Sequence, residues 1–372
     1  MTHILELLGN GNPELHGISR VYIWARAEAF AVIADRPWLV KIAPNSAALG
    51  LLRRSLWQGT KLSAVARSVG CDLLFVPGGS FAGDFEPVVS MSQNMLPFEW
   101  EELGRYGLSL KSLRLLALRW SQSRTFRRSD GVIFLTYYAK DHVLANTRAV
   151  RGQTRIISHG LSARFQCPPK VQHPITQYDE ANPYRVLYVS IIDEYKHQWN
   201  VVEAIASLRA AGMPIALELI GPAYAPALSR LTRSMDRFDP KRNWVTYSGE
   251  VPFDQLHLRY TQANLGVFAS SCENQPIILL ETMAAGLPIA CSNFGPMPEV
   301  LGGEGIYFNP ERPADIARAV RELVESPALR AEAAAASYAR SQEFTWQRCA
   351  NETLAFLARI ATQHKASKCA AS

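Results

Sequence analysis

Two doubly wound α/β domains are the fold this chain predicts, on three observations. Short apolar runs alternate with helical patterns along the whole sequence, the rhythm of parallel strands joined by crossover helices. Its 372 residues exceed what one hydrophobic core usually supports. A polar, proline-rich stretch without periodicity, from Pro168-Pro169 to Pro183, then reads as a linker between two halves of similar make-up.

The elements follow in order. Residues 3–8 read as a first strand and Val21 to Ala34 as a first helix, with a loop containing Gly9, Gly11 and Gly17 between them. Glycine there would let backbone approach a phosphate, although the three do not make G-x-G-x-x-G and a plain turn fits as well. Trp38 to Ile42 is a strand, Ala47 to Gly70 a helix, and Asp72 to Val76 and Val88 to Ser92 are strands. From Leu108 to Ser129 leucines recur at helical spacing while Lys111, Arg114, Arg119, Arg124, Arg127 and Arg128 supply charge. Such a helix either packs on a core with a solvated basic face or rests on anionic lipid headgroups. Asp130 to Leu135 and Arg155 to Ile157 complete the first half as strands.

The second half opens with a strand, Tyr184 to Ile191, and a helix, Trp199 to Ala211. Ala216 to Ile220, Trp244 to Tyr247, Leu265 to Ala269, Leu287 to Cys291 and Gly305 to Phe308 are further strands. Helices at Pro313 to Ser326, Ala328 to Glu343 and Thr345 to Ala361 finish the pattern, and the tail Lys365 to Ser372 reads as frayed.

Composition narrows the class. The net charge of +6 suits an anionic partner without choosing among nucleotide, membrane and nucleic acid, and no nucleic-acid motif is present. The front of the chain lacks the charge and length of a secretory signal, and no apolar stretch is long enough to span a bilayer, so the expected location is cytoplasmic. Six scattered cysteines (71, 167, 272, 291, 349, 369) without C-x-x-C spacing read as reduced and structural.

The most informative stretch is Ser270 to Glu299. An apolar strand leads into a loop, a helix starts near Pro276 and stops at Gly286, and a second strand follows. That order leaves a helix N-terminus at the carboxyl edge of a sheet, where free N–H groups and the helix dipole favour an anion such as phosphate. Glu273 and Glu281 flank the spot with seven residues between them. Ionised carboxylates only accept hydrogen bonds, so beside an anion they serve against hydroxyls. A phosphate core with a polyol at each end, as in a nucleotide sugar, satisfies both. Two glutamates at this spacing, taken alone, are more often a solvated helix face and a polar loop.

The stretch resembles the E-x7-E segment of the retaining, family 4 glycosyltransferases of GT-B fold, a resemblance that extends over most of the chain and is strongest from Tyr184 to Pro310. It implies two Rossmann-like domains facing across a cleft: 1–175 on the acceptor side, 176–345 binding the nucleotide sugar, and 346–372 as a helix crossing back to the first domain, with a frayed tail. Glu273 stands where the family contacts the donor sugar and Glu281 where it contacts the ribose. Lys196 stands where a lysine meets the donor diphosphate, and Ile191 occupies the place of the usual companion arginine. Gly17, Ser190, Gly249, Val251, Gln275, Pro276, Ile277 and Ile278 fall at further donor-binding positions. Gln93 or Asn94 replaces a family histidine near the sugar or acceptor, and His159 replaces an asparagine before Gly160, although a lone histidine is as a rule structural.

The implied activity is transfer of a hexose or deoxyhexose from a nucleotide diphosphate sugar to a glycan hydroxyl, with retention and without a metal. Lipopolysaccharide, O-antigen or exopolysaccharide synthesis is the expected setting, with a lipid-linked acceptor and peripheral contact with the membrane. Glu273 and Lys196 would be the catalytic residues, with no cofactor beyond the donor. The absent arginine leaves open a nucleotide-sugar-binding subunit without catalysis.

Overall fold

The computed structural model describes residues 2–25, 27–43, 57, 59–147, 149–303 and 305–371. They form two compact units, one of Met1–Phe98, Leu110–Gly160 and Thr345–Ser372, the other of Glu99–Ser109 and Leu161–Phe344. The change of unit at Gly160–Leu161 comes ahead of the 175/176 boundary drawn from the linker, because Leu161 and Phe165 are buried in the second unit's core. The segment 99–109, which the sequence reading left in the first domain, lies in the second unit.

In the first unit β1 (Val21–Trp24) and β2 (Leu39–Ile42) form a parallel pair. A four-stranded parallel sheet follows in sequential order: β3 (Leu74–Val76), β4 (Val88–Met91), β5 (Gly131–Phe134) and β6 (Gln153–Ile156). Two expectations fail at the front. Residues 3–8 lie in a helix, Thr2–Asn10, whose His3, Leu7 and Leu8 are buried together, the one-face spacing of 3.6 residues per turn rather than alternation. Val21 to Ala34 is not one helix but strand β1 and a short helix, Ala27–Phe30, since Val-Tyr-Ile-Trp is a β-branched and aromatic run. Of the helix expected over 47–70, Leu62–Ser68 is seen, and residues 44–56 and 58 lie outside the described residues. The tail read as frayed continues the terminal helix, Trp346–Ala371, where Lys365 pairs with Asp72 at 2.8 Å. This helix belongs to the first unit and packs against the Thr2–Asn10 helix.

The second unit is a six-stranded, all-parallel sheet built from β7 (Tyr184–Val189), β8 (Ile215–Ile220), β9 (Val245–Tyr247), β10 (Leu265–Phe268), β11 (Ile289–Ser292) and β12 (Ile306–Phe308). Its order is β12-β11-β10-β7-β8-β9. Strands β10 and β11 are buried at every position, as a sheet covered on both faces demands. On one side the helices Gln198–Ala210, Ala225–Phe238 and Pro313–Glu325 pack together; elsewhere Ile277–Ala284 packs against Pro327–Ser341 and Met297–Leu301. Gly286 ends the Ile277–Ala284 helix with φ +63°, and a Cβ there would sit 2.5 Å from the Cys167 carbonyl oxygen. The turn therefore needs glycine both for its backbone conformation and for the chain that passes over it.

Arg330 fixes the start of the linker against the core. It is fully buried, donates to Gln172 Oε1 (3.0 Å), to the carbonyls of Leu323 (2.8 Å) and Val324 and to that of His173, and lies over the Tyr184 ring at 5.3 Å. Replacing it leaves several buried carbonyls without donors and a cavity besides. Arg330→Ala is expected to destabilise the fold by about 3 kcal/mol or more, read as a melting temperature lowered by several degrees; an unchanged melting temperature would show that water satisfies those carbonyls equally well.

Candidate functional site

The crossovers of the second unit's sheet reverse direction between β7 and β10, which are neighbours. In an open parallel sheet, ligands are received beyond the carboxyl ends of the strands at such a reversal. Two loops leave the sheet there, 190–197 after β7 and 269–276 after β10.

After β7 the chain makes a tight, heavily bonded turn. Ser190 is buried, its N–H donating to the Ile220 carbonyl at 2.8 Å. Gly221 faces it at the end of β8 with φ +142°, and a Cβ there would come within 2.2 Å of the Ser190 carbonyl oxygen. Only glycine lets the two strand ends approach this closely. Ile191 is 38% exposed. Buried Asp193 accepts from Glu194 N–H at 2.9 Å and starts a single 3-10 turn, Glu194–Lys196. His197 follows in the left-handed region, φ 52°, and hands the chain to the helix Gln198–Ala210.

That turn delivers Lys196 inward. Its carbonyl accepts from the buried Tyr188 hydroxyl at 2.9 Å. Its ammonium, with the side chain 7% exposed, pairs with Glu273 Oε1, and it lies 4.9 Å from the Tyr195 ring and 5.4 Å from the Phe268 ring. The two loops are also stitched by backbone: Ser271 N–H and its hydroxyl both donate to the Tyr195 carbonyl, at 2.8 and 3.2 Å. His197 Nε2 is hydrogen-bonded to Ser271 Oγ at 2.9 Å. Burial above all, with Arg105 and Arg230 nearby, pushes the His197 pKa down to about 3, so the ring is neutral.

Glu281 is anchored by a different partner. It lies in the second turn of Ile277–Ala284, is 4% exposed, and accepts from Tyr260 Oη at 3.1 Å. Burial lifts its carboxyl to about 7, against the lowering effect of the Tyr260 hydrogen bond. Gln275 and Pro276 are buried, and Ile277 and Ile278 half-buried, at the start of the same helix. Gly249, φ +67°, accepts from Gly221 N–H at 2.8 Å, and half-buried Val251 follows it beyond β9. Of the residues the resemblance assigned to a donor, all but Gly17 thus sit near the carboxyl ends of one sheet, and the structure brings Lys196 and Glu273 into direct contact.

The first unit holds the remaining candidates. Gly17 is exposed, φ +71°, and ends a 3-10 turn, Pro13–His16, ahead of β1. The strand-to-helix turn that motivated it is therefore absent, its neighbours being a helix before and a strand after. Gln93 and Asn94 are exposed beyond β4; Gln93 Nε2 lies 3.1 Å from Met91 Sδ, and Asn94 Oδ1 accepts from Leu96 N–H at 3.1 Å, the local turn that precedes Pro97. His159 is buried, stacked on His3 at 4.8 Å and tilted against Trp346 at 5.3 Å. Burial first, then His3, lowers its pKa to about 3, so it is neutral and packed between the first and last helices. Among the described residues no three His, Cys, Asp or Glu side chains are grouped to hold a metal ion.

Sequence reasoning missed Tyr106, His197 and Tyr260. Tyr106 donates to Asp193 Oδ1 at 2.9 Å, with both groups buried. Nothing local marks these side chains, since each acts on a residue distant in sequence.

Residues 176–341 match the protein family described as "Glycosyl transferases group 1". The O-antigen chain mannosyltransferase B of Escherichia coli is 30% identical over 114 residues, 31% of this chain and 30% of that protein. The serotype-specific mannosyltransferase WbdA of Escherichia coli is 24% identical over 240 residues, 63% of this chain and 29% of that protein. The chain thus covers about 30% of the length of these curated relatives. Among solved structures, sucrose-phosphate synthase of Thermosynechococcus elongatus superposes with a TM-score of 0.69 at 19% identity, over 98% of this chain and 92% of that one. The fold is that of the GT-B glycosyltransferases, as the resemblance implied.

The raised Glu281 carboxyl makes stability depend on pH. Below its unfolded value of 4.5 both states are protonated. As pH rises the unfolded chain releases the proton while the folded chain keeps it until about 7, so stability falls across that window and then levels. Urea melts of wild type and Glu281→Gln between pH 4.5 and 8 should diverge by about 3 kcal/mol, the variant gaining relative to wild type; parallel curves would show that the carboxyl is solvated.

Proposed function

We propose that this chain, whose residues 176–341 form a group 1 glycosyl transferase domain, moves a hexose or deoxyhexose from a nucleotide diphosphate sugar to a hydroxyl of a glycan. The observation that carries the reading is the Lys196–Glu273 pair at the reversal point of a parallel sheet. A cation there meets the charge that gathers on the diphosphate as the glycosidic bond breaks, and the neighbouring carboxylate accepts from sugar hydroxyls. Retention would follow if the acceptor attacks on the face the nucleotide leaves, with the departing phosphate taking its proton and Glu273 orienting the sugar without a covalent bond. Glu281 and the first N–H groups after Pro276 would hold the ribose and phosphates. Lys196 as the resident cation is the basis for proposing that no metal is needed.

Surface-polysaccharide synthesis is favoured as the setting because the two curated relatives described above carry O-antigen or serotype-specific mannosyltransferase names, which makes a mannosyl donor the first to try. No helix among the described residues is long and apolar enough to cross a membrane. The helix Leu110–Arg128 leaves Leu110, Leu113 and Trp120 exposed between its basic side chains, which supports peripheral contact with anionic lipid. One observation favours a second reading: exposed Ile191 stands where the family has an arginine, which would suit a subunit that binds the donor without turning it over.

Thermal-shift titration with UDP-, GDP- and dTDP-sugars should give one nucleotide that raises the melting temperature, as a ligand specific to the fold does by mass action. Radiolabelled transfer from that donor should persist in EDTA and fall at least a hundredfold in Glu273→Ala and Lys196→Ala. Near-normal turnover in either variant would remove the proposed roles, and binding without transfer or donor hydrolysis in wild type would select the second reading. Co-sedimentation with vesicles should require anionic lipid and weaken when Leu113 and Trp120 are both replaced by Ser; equal pelleting with neutral vesicles would refute electrostatic docking.

A further inference from the structure

We infer that Tyr106 and His197 are positioning residues that aim the Lys196 ammonium at the donor phosphates, acting from either end of the turn that carries it. The inference rests on the donor-binding reading of Lys196 and adds to it the groups that fix its geometry.

A lysine side chain has four rotatable bonds and a point charge, so its position must be imposed from outside. Here its backbone is held at every step of the turn. At the near end Tyr106 Oη donates to Asp193 Oδ1 at 2.9 Å, and the same oxygen accepts from Glu194 N–H at 2.9 Å. In the middle the Tyr195 carbonyl accepts twice from Ser271, and the Lys196 carbonyl accepts from Tyr188. At the far end His197 takes a left-handed conformation and is hydrogen-bonded to Ser271. A non-glycine residue at positive φ persists where its surroundings over-determine it, and histidine is among the types that tolerate it.

Tyr106 arrives from 87 residues away. It lies in the 99–109 segment, which also places Arg105 between Glu102 and Glu311 and sets Tyr106 edge-on to Tyr224 at 5.9 Å. The segment therefore touches the loops after β7, β8 and β12 while offering one hydroxyl to the turn. Deleting that hydroxyl keeps the ring and removes the bond to Asp193. Because Lys196 matters most as charge develops on the leaving phosphate, a small displacement lowers turnover more than ground-state binding.

The test uses Tyr106→Phe and His197→Gly, the latter keeping the backbone conformation and losing the Ser271 bond, with two readouts. In donor-saturation kinetics each variant should lose about tenfold in kcat with donor KM within about twofold. In the absence of donor, reductive methylation followed by mass spectrometry should modify Lys196 at least threefold faster than in wild type, while Lys170, elsewhere in the second unit and donating to the Ala263 carbonyl at 3.1 Å, keeps its rate. Unchanged Lys196 labelling overturns the inference whether or not the chain is a transferase. Faster labelling at Lys170 as well reveals general loosening and overturns it too. Loss of transfer in Lys196→Ala with both positioning variants fully active sinks the positioning roles alone, whereas full activity in Lys196→Ala sinks the proposed function.

Discussion

A lysine and a glutamate taken largely out of water must compensate one another, and this pair constrains everything around it. Either charge left alone at such depth would cost several kcal/mol, so the loops carrying Lys196 and Glu273 have to arrive together. The sheet order meets that demand. Because β7 and β10 are neighbours whose following crossovers run in opposite directions, their loops diverge from a shared gap. The Ser271 N–H bond to the Tyr195 carbonyl and the Lys196–Glu273 ion pair both join these two loops. Gly221 admits the close approach of the β7 and β8 ends.

Much of the second half was legible because fully buried parallel strands write themselves as uninterrupted apolar runs bounded by glycine and proline. Leu265 to Phe268 and Ile289 to Ser292 are of this kind, and so the helix between them, with Pro276 at its cap, could be placed closely. Lys196 and Glu273 were legible singly, by resemblance. Their contact was not, since no local pattern encodes a partner 77 residues away. The first half was read less well for a physical reason. His-Ile-Leu-Glu-Leu-Leu is apolar enough for a buried strand and periodic enough for a helix, and the packing of Leu7 beside Ala350 and Leu354 of the terminal helix decides for the latter. With a helix before it and a strand after it, Gly17 is not at the strand-to-helix turn a phosphate site needs.

Glu281 illustrates how burial alters what a carboxyl can do. Near neutral pH it stands close to half-protonated in the unliganded fold. It can therefore offer a proton to a hydroxyl oxygen or accept one from it, and Tyr260 occupies one of its oxygens in either state. An ionised, accept-only carboxylate is the behaviour of a solvated glutamate, and Glu281 is buried.

The 99–109 strap bears on how this architecture can be recombined. A gene fragment covering only the contiguous run 161–344 would encode all six strands yet omit the phenol that tethers Asp193. Chimeras that exchange the run 161–344 along a single crossover would pair each Asp193 turn with a strap from another chain. Modularity in this chain is thus interrupted at one small but chemically specific place, because a piece of the second unit is encoded inside the first.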